Sequence, residues 1–111
     1  MVTLKKHGAV DVVGSDDRIT ADKIDELKDE LERRNHLGQP RVVLDMQRAA
    51  LVDSTALEML LDVQDQYQWK GGALKLANVN ALCEEILRVT GVDSRFEVYS
   101  DVGSAVRSFV I

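Results

Sequence analysis

Arg41-Val42-Val43-Leu44-Asp45 leads within a few residues into Leu51-Val52-Asp53-Ser54-Thr55-Ala56-Leu57. The three consecutive apolar residues of the first segment predict a strand that is buried on both faces, as in the interior of an α/β sheet. The second segment delivers Ser54 to the start of a helix predicted over about residues 55–69. A helix N-terminus offers unpaired backbone N–H groups and about half a positive elementary charge, so an anion is stabilised there. Ser54 is therefore the first candidate functional residue.

Upstream of this pair of segments, the pattern predicts two short strands and an amphipathic helix. The strands cover residues 3–6 and 9–13, with Gly8 between them. The helix starts at Thr20, because apolar residues then recur at helical spacing among charged ones. Its inward-facing residues are Ile24, Leu27 and Leu31. Pro40 follows this helix and disfavours helical geometry in the residue before it.

Downstream, strands and helices alternate. The helix over residues 55–69 is expected to be the most buried one, with Leu57, Leu60, Leu61, Gln64 and Tyr67 along its inner side. Gly71-Gly72 ends it, and strands are predicted over residues 73–77 and 96–99. A helix over about residues 81–90 is predicted to point Leu82, Ile86 and Val89 inward, with Cys83 and Leu87 beside them, and Gly91 to end it. Ser100 or Asp101 caps a last helix that carries Val102, Ala105, Val106, Phe109 and Val110.

This order of elements predicts an α/β fold. Alternating strands and helices favour parallel pairing with crossover helices, while the two N-terminal strands pair directly, so the sheet is mixed. We expect a four- or five-stranded sheet packed with about four helices. Neither a repeat nor a linker divides the sequence, and residues 1–111 are predicted to form a single domain.

The composition argues against several classes of protein. The 111 residues are 45% apolar and 30% charged, and no apolar run approaches the ~20 residues that span a bilayer. The formal charge of -5 argues against direct binding of nucleic acid, since phosphate backbones are bound mainly through Lys and Arg. The negative charge favours a protein partner over a polyanion. No secretory signal is recognisable at the start, so a cytoplasmic protein without a membrane partner is expected. The single cysteine, Cys83, is interpreted as a small buried apolar residue.

Enzyme signatures are mostly missing from the sequence. It contains no phosphate-binding glycine loop, no dinucleotide fingerprint, no H-E-x-x-H and no G-x-S-x-G elbow. The two histidines, His7 and His36, fall in predicted turns or at element ends, away from Ser54 in the sequence. Asp45 is interpreted as a polar strand end. We therefore predict that the protein is not an enzyme and needs neither a metal nor a cofactor.

Ser54 also has a purely structural explanation. Asp, Ser and Thr are all preferred helix caps, and Thr55-x-x-Glu58 fits a capping box, so the segment 53–55 could serve only to start the helix. For an arbitrary protein this explanation is the favoured one. The order of the surrounding motifs decides between the two.

The chain resembles STAS domains, the family of bacterial anti-sigma factor antagonists, over nearly its whole length. The matching segments are Gly14-x-x-Asp17-x-x-Thr20-Ala21, Val42-Val43-Leu44-Asp45, Val52-Asp53-Ser54-Thr55-Ala56-Leu57, Gly71-Gly72-Ala73-Leu74-Lys75-Leu76 and Val89-Thr90-Gly91-Val92. The resemblance implies a STAS-like α/β fold. It also implies that Ser54 is phosphorylated by a partner anti-sigma factor serine kinase, with a PP2C-like phosphatase as a further partner. The partner-binding residues implied are Asp17, Thr20, Asp53, Ser54, Thr55, Ala56 and Glu58.

The sequence departs from the family pattern at three positions. Ala56 replaces the usual glycine after the serine pair, Glu58 adds a negative charge within one helical turn of Ser54, and Asp16 replaces an apolar residue before Asp17. Two other functions therefore stay open. One is a non-switching STAS subunit that scaffolds a transporter-associated or signalling complex. The other, which has less support, is a small hydrolase with Ser54 as its nucleophile.

Overall fold

The computed structural model describes residues 2–36 and 38–109, and their backbone forms a mixed sheet covered by helices. The strands are β1 (Val2–His7), β2 (Val10–Ser15), β3 (Arg41–Asp45), β4 (Ala73–Ala77) and β5 (Val98–Tyr99). The helices are α1 (Ile24–Arg33), α2 (Ser54–Trp69), α3 (Ala81–Val89) and α4 (Val102–Ser108), with 3₁₀ turns at Arg34–His36 and Val92–Arg95. The strands lie in sequence order; β1 and β2 are antiparallel, and the other neighbours are parallel. The predicted mixed sheet of the α/β class is confirmed.

Helices cover both faces of the sheet. Residues of α1, α2 and α3 form one core cluster with alternate residues of the strands, among them Val42 and Leu44. A smaller cluster on the opposite face joins Val43 to Ala105 of α4. All three valine and leucine residues of β3 are fully buried, so the prediction of a central strand covered on both faces is confirmed.

The glycine pair after α2 sets the turn into β4. Gly71 has a φ of 78°, and the Gly72 N–H donates to the Tyr67 carbonyl oxygen at 2.8 Å, which is the left-handed helix end that the sequence predicts. A Cβ atom on Gly72 would lie 2.0 Å from the Pro40 carbonyl oxygen. Only glycine therefore allows the α2–β4 turn to approach the start of β3 so closely.

Several element boundaries differ from the predictions; β2, for example, covers Val10–Ser15 where a strand over residues 9–13 was predicted. The first helix begins at Ile24, not at Thr20, because residues 20–23 form a turn in which the Thr20 hydroxyl donates to Asp22 at 2.5 Å. The last strand contains only Val98–Tyr99, because Phe96 turns into the core and is buried. The predicted helix residue Val110 lies outside the described residues.

The inward face of α3 was predicted wrongly at Leu82 and Val89, whereas Ile86 packs against the core as predicted. Leu82 and Val89 are 53% and 64% exposed, and the buried side chains are those of Cys83 and Leu87. The reason is a contact at the start of the helix. Asn80 accepts from the Cys83 N–H at 2.8 Å, while its side-chain amide donates to the Ala49 and Ala50 carbonyl oxygens. This contact fixes the rotation of α3 so that Cys83 enters the core, as its predicted burial requires.

Candidate functional site

The start of α2 is capped by Asp53. This residue has extended backbone geometry, and its Oδ1 accepts a hydrogen bond from the Ala56 N–H at 2.9 Å. The helix consequently begins at Ser54, and the capping box predicted from Thr55 and Glu58 does not form. The structural explanation of the motif thus accounts for Asp53 and leaves the role of Ser54 open.

Ser54 is exposed on the first turn of α2. Within residues 2–36 and 38–109, its hydroxyl makes no hydrogen bond, and the backbone N–H groups of Ser54 and Thr55 have no acceptor. An oxyanion on the Ser54 side chain would meet these two donors and the positive end of the helix dipole. The site is therefore chemically suited to carry a phosphate.

A second segment of the chain, residues 17–22, is held against this turn by hydrogen bonds, which we call the latch. Oδ2 of Asp53 accepts from the Ala21 N–H at 2.8 Å, so both oxygens of the carboxylate are bound. The Asp53 N–H donates to the Ile19 carbonyl oxygen at 3.2 Å, and the Ile19 N–H donates to the Leu51 carbonyl oxygen at 2.8 Å. These bonds form a short parallel bridge between Ile19 and Val52. The bridge fixes residues 17–22 beside Ser54.

Asp17 orders the beginning of that latched segment. Its carboxylate accepts from the Arg18 N–H at 2.7 Å and pairs with the Lys23 ammonium group at 3.2 Å. The Ser15 hydroxyl donates to the Asp17 carbonyl oxygen at 3.1 Å. Asp17 therefore shapes the loop after β2, and its side chain is half-buried while doing so.

The carboxylates that frame the site are stabilised in their charged form. The pKa of Asp53 lies below its usual value, chiefly because the Ala56 N–H and then the Ala21 N–H bind the carboxylate, although the nearby charge of Asp22 opposes the shift. The pKa of Asp17 is also lowered, first by the Arg18 N–H and then by Lys23. Both groups are ionised at neutral pH, so Ser54 lies in an acidic surrounding.

The sequence of the chain matches a known family. The model of the family described as "Mlab, STAS domain" matches residues 2–100 of the chain. The chain belongs to the STAS domain family. The resemblance inferred from the sequence motifs is confirmed. No curated protein matches the chain.

Solved structures share the fold of this STAS domain at low sequence identity. An anti-sigma-factor antagonist (STAS) domain protein from Planctomyces limnophilus has a TM-score of 0.87 at 21% identity, over 99% of this chain and 98% of that one. The murine anion transporter Slc26a9 has a TM-score of 0.78 at 19% identity, over 92% of this chain and 18% of that one. The cell fate determinant SpoIIAA of Bacillus, in its phosphorylated form, has a TM-score of 0.73 at 11% identity, over 97% and 99%.

The STAS domain presents only some of the predicted partner-binding residues. Ser54, Thr55 and Glu58 are exposed, and Asp17 and Asp53 are half-buried. Thr20 and Ala56 are 7% and 0% exposed. The side chains of Thr20 and Ala56 therefore lie beneath the surface and are not accessible to a partner.

Neither Ile19 nor Ala21 was assigned a role in the site from the sequence, although Ala21 lies in a segment that matches the family. Ile19 is 1% exposed and carries the bridge to Val52, while Ala21 contributes only its backbone N–H. The signal available for Ile19 was its position as the one large apolar residue between Ser15 and Lys23. The residue type at position 21 cannot predict that its backbone N–H binds Asp53, because every residue except proline has such a group.

In the described part of the STAS domain, Ser54 has no histidine as a hydrogen-bond partner. His7 ends β1 and His36 ends the 3₁₀ turn after α1, and neither is hydrogen-bonded to Ser54. Residues 2–36 and 38–109 contain no group of three His, Cys, Asp or Glu side chains that could hold a metal ion. In the same residues, no helix has the length and apolar character needed to cross a membrane.

Proposed function

We propose that this STAS domain is an anti-sigma factor antagonist that binds a serine kinase anti-sigma factor and is switched off by phosphorylation of Ser54. The observation that carries the proposal is the exposed, unbonded hydroxyl of Ser54 on a turn whose cap, Asp53, is already fully occupied. A PP2C-like phosphatase would return the protein to its active form. One fold relative, SpoIIAA of Bacillus, has a structure in the phosphorylated form, which supports the proposal.

The effect of the phosphate should fall on the docking surface. Phosphorylation adds about -1.5 to -2 charges at pH 7, and the helix N-terminus lowers the cost of this charge inside the domain. A kinase that acts on Ser54 must hold a nucleotide phosphate against this turn. After transfer, the phosphoserine faces the remaining anionic nucleotide, and like charges held at an interface weaken it. The acidic neighbours Asp53 and Glu58 increase this repulsion.

The test uses the cognate serine kinase, sought first among the products of neighbouring genes. Incubation with this kinase and ATP should add one phosphate, seen by intact-protein mass spectrometry, and Ser54→Ala should abolish the addition. Thr55→Ala is the matched control, because Thr55 is also exposed on the same turn, and this variant should still accept one phosphate. Ser54→Asp should lower the affinity for the kinase at least about tenfold, or ~1.4 kcal/mol.

Two outcomes would reject the proposal. One is a phosphate that maps to a residue other than Ser54. The other is a Ser54→Asp variant that binds the kinase as tightly as the original chain does.

A second function is supported by the fold relation to the murine anion transporter Slc26a9. In this case the domain is a non-switching STAS subunit that scaffolds a transporter-associated or signalling complex. The discriminating result is a stable stoichiometric complex whose affinity is unchanged in both Ser54→Ala and Ser54→Asp.

A further inference from the structure

A long groove runs between α1 and α2, beginning beside the candidate phosphorylation site. Its first part has a volume of about 470 Å³ and starts at Ala21, in the loop after β2, and at Thr55, on the first turn of α2. Its floor is formed by the core residues Ile24, Met59 and Val63, which are 7%, 6% and 2% exposed. The groove is thus continuous with the surface around Ser54.

The walls of this groove are acidic. Asp25 and Glu32 of α1 face Glu58 and Asp62 of α2, and Lys28 is the only basic residue that lines this first part of the groove. All five side chains belong to exposed residues, and none of the four carboxylates forms an ion pair with another described residue. The net charge of -3 along the groove is therefore not compensated within the described part of the molecule.

The groove continues towards the end of α2 and reaches Trp69. Gln66 lines both the acidic part and an open recess of about 520 Å³, whose lining also includes Trp69 and Lys70. Trp69 is the only tryptophan of the chain, and it is 91% exposed. An indole left in water at the end of a groove is typical of a binding hot spot, because tryptophan gains the most from burial at an interface.

We propose that this groove is the docking site for a basic amphipathic helix of the partner protein. The carboxylates of the walls would pair with its Lys and Arg residues, while its apolar side would cover the floor and Trp69. The 16 residues of α2 span about 24 Å at the usual rise of ~1.5 Å per residue. A partner helix of four to five turns therefore reaches from Trp69 to Thr55. In identifying the partner as the anti-sigma factor kinase, the proposal rests on the function proposed above.

The roles of the acidic groove walls and of Trp69 in binding are tested with two synthetic 18-residue helical peptides. Both carry the same leucine stripe, and their polar faces consist of Lys in one and Glu in the other. We expect the Lys peptide to shift the Trp69 fluorescence to shorter wavelength with saturation, and the Glu peptide to leave it unchanged. Glu32→Gln combined with Asp62→Asn should weaken binding of the Lys peptide roughly five- to tenfold.

The control for overall charge is Glu84→Gln combined with Asp93→Asn, which removes the same charge from two exposed residues outside the groove. It should bind the Lys peptide as the original chain does. Equal weakening by both pairs of substitutions would mean attraction to net charge alone and would overturn the proposal. An unshifted Trp69 emission at saturation would overturn it as well.

The complete kinase separates this proposal from the proposed function. Glu32→Gln/Asp62→Asn and Trp69→Ala should each weaken kinase binding, while Ser54 still receives one phosphate at saturating kinase. If Ser54 is phosphorylated and these variants bind normally, the groove proposal fails alone. If the variants bind weakly but no phosphate appears on Ser54, the switch proposal fails alone.

Discussion

Replacing Gln64 with leucine should reveal how α2 completes the sheet. Gln64 is 2% exposed, and its Oε1 accepts from the Leu74 N–H at 2.7 Å while its Nε2 donates to the Leu74 carbonyl oxygen at 3.1 Å. The same Nε2 donates to the Arg95 carbonyl oxygen at 2.8 Å. Because β5 pairs with β4 only at Leu76 and Ala77, the amide of Gln64 stands in for a missing strand at Leu74.

The magnitude follows from the groups left without partners. Leucine has nearly the same volume as glutamine but neither donates nor accepts, so the two buried backbone groups of Leu74 would lose their bonds. Each buried unsatisfied group costs ~1–3 kcal/mol, and water can reach the partly buried carbonyl of Arg95. The gain from burying an apolar side chain offsets a part of this cost. We expect the free energy of unfolding to fall by about 2–4 kcal/mol, or Tm by roughly 10–20 °C.

The assay is urea unfolding of Gln64→Leu followed by circular dichroism. Gln68→Leu is the matched control, since Gln68 lies one helical turn further along α2 and is exposed, and it should change stability by no more than about 0.5 kcal/mol. If Gln64→Leu also stays within about 1 kcal/mol of the original chain, the idea that this amide replaces a strand is wrong.

Three further predictions concern the turn at Gly72, the hydrogen bond between Asp53 and Ala21, and the Cys83 thiol. Gly72→Ala should unfold at much lower urea concentration than Gly38→Ala, because its Cβ would lie 2.0 Å from a carbonyl oxygen while that of Gly38 meets nothing within 4 Å. The pKa of Asp53 is lowered from 3.8 in the folded state, so its stabilising bonds persist above that pH and are lost as the pH falls through the lowered value. Amide exchange protection at Ala21, measured by NMR, should therefore decrease below about pH 3.8. Burial raises the pKa of the Cys83 thiol, so a thiol reagent at pH 8 should modify Cys83 only after the chain opens, and the modification rate should rise with urea.

The sequence predicted best those elements whose signals are local. The three apolar residues of β3 follow Pro40, and α2 carries a regular apolar face that ends at Gly71-Gly72, so both were placed to within a residue of their observed bounds. In α3, apolar residues occupy two neighbouring stripes, one through Leu82 and Val89 and one through Cys83 and Leu87. Helical periodicity does not choose between such stripes. The choice is made by Asn80 through its bonds to the segment before α2, which no local pattern contains.

The hydrogen bond between Asp53 and Ala21 beside Ser54 also depends on residues that are distant in the sequence. Asp53 and Ala21 are 32 residues apart, and one of the two partners is a backbone N–H. The residue types at 53–55 predicted a helix start, and the family resemblance predicted that the segment 17–20 belongs to the same site. The bonds that join the two became visible only once the loop after β2 was folded against the turn before α2. Long-range backbone pairing of this sort depends on the register of the whole sheet.

The residues that depart from the family pattern differ in burial, and this difference distinguishes their expected effects on a partner. Ala56 is fully buried, in the core cluster on its face of the sheet, so its extra methyl group is accommodated by packing and does not alter the surface that a kinase would meet. Glu58 is exposed and lines the groove between α1 and α2. Its charge adds to that of Asp62 one turn further along the helix, where a basic partner segment would gain from both. The substitution that brings negative charge close to Ser54 is therefore also the one through which this chain would select its partner.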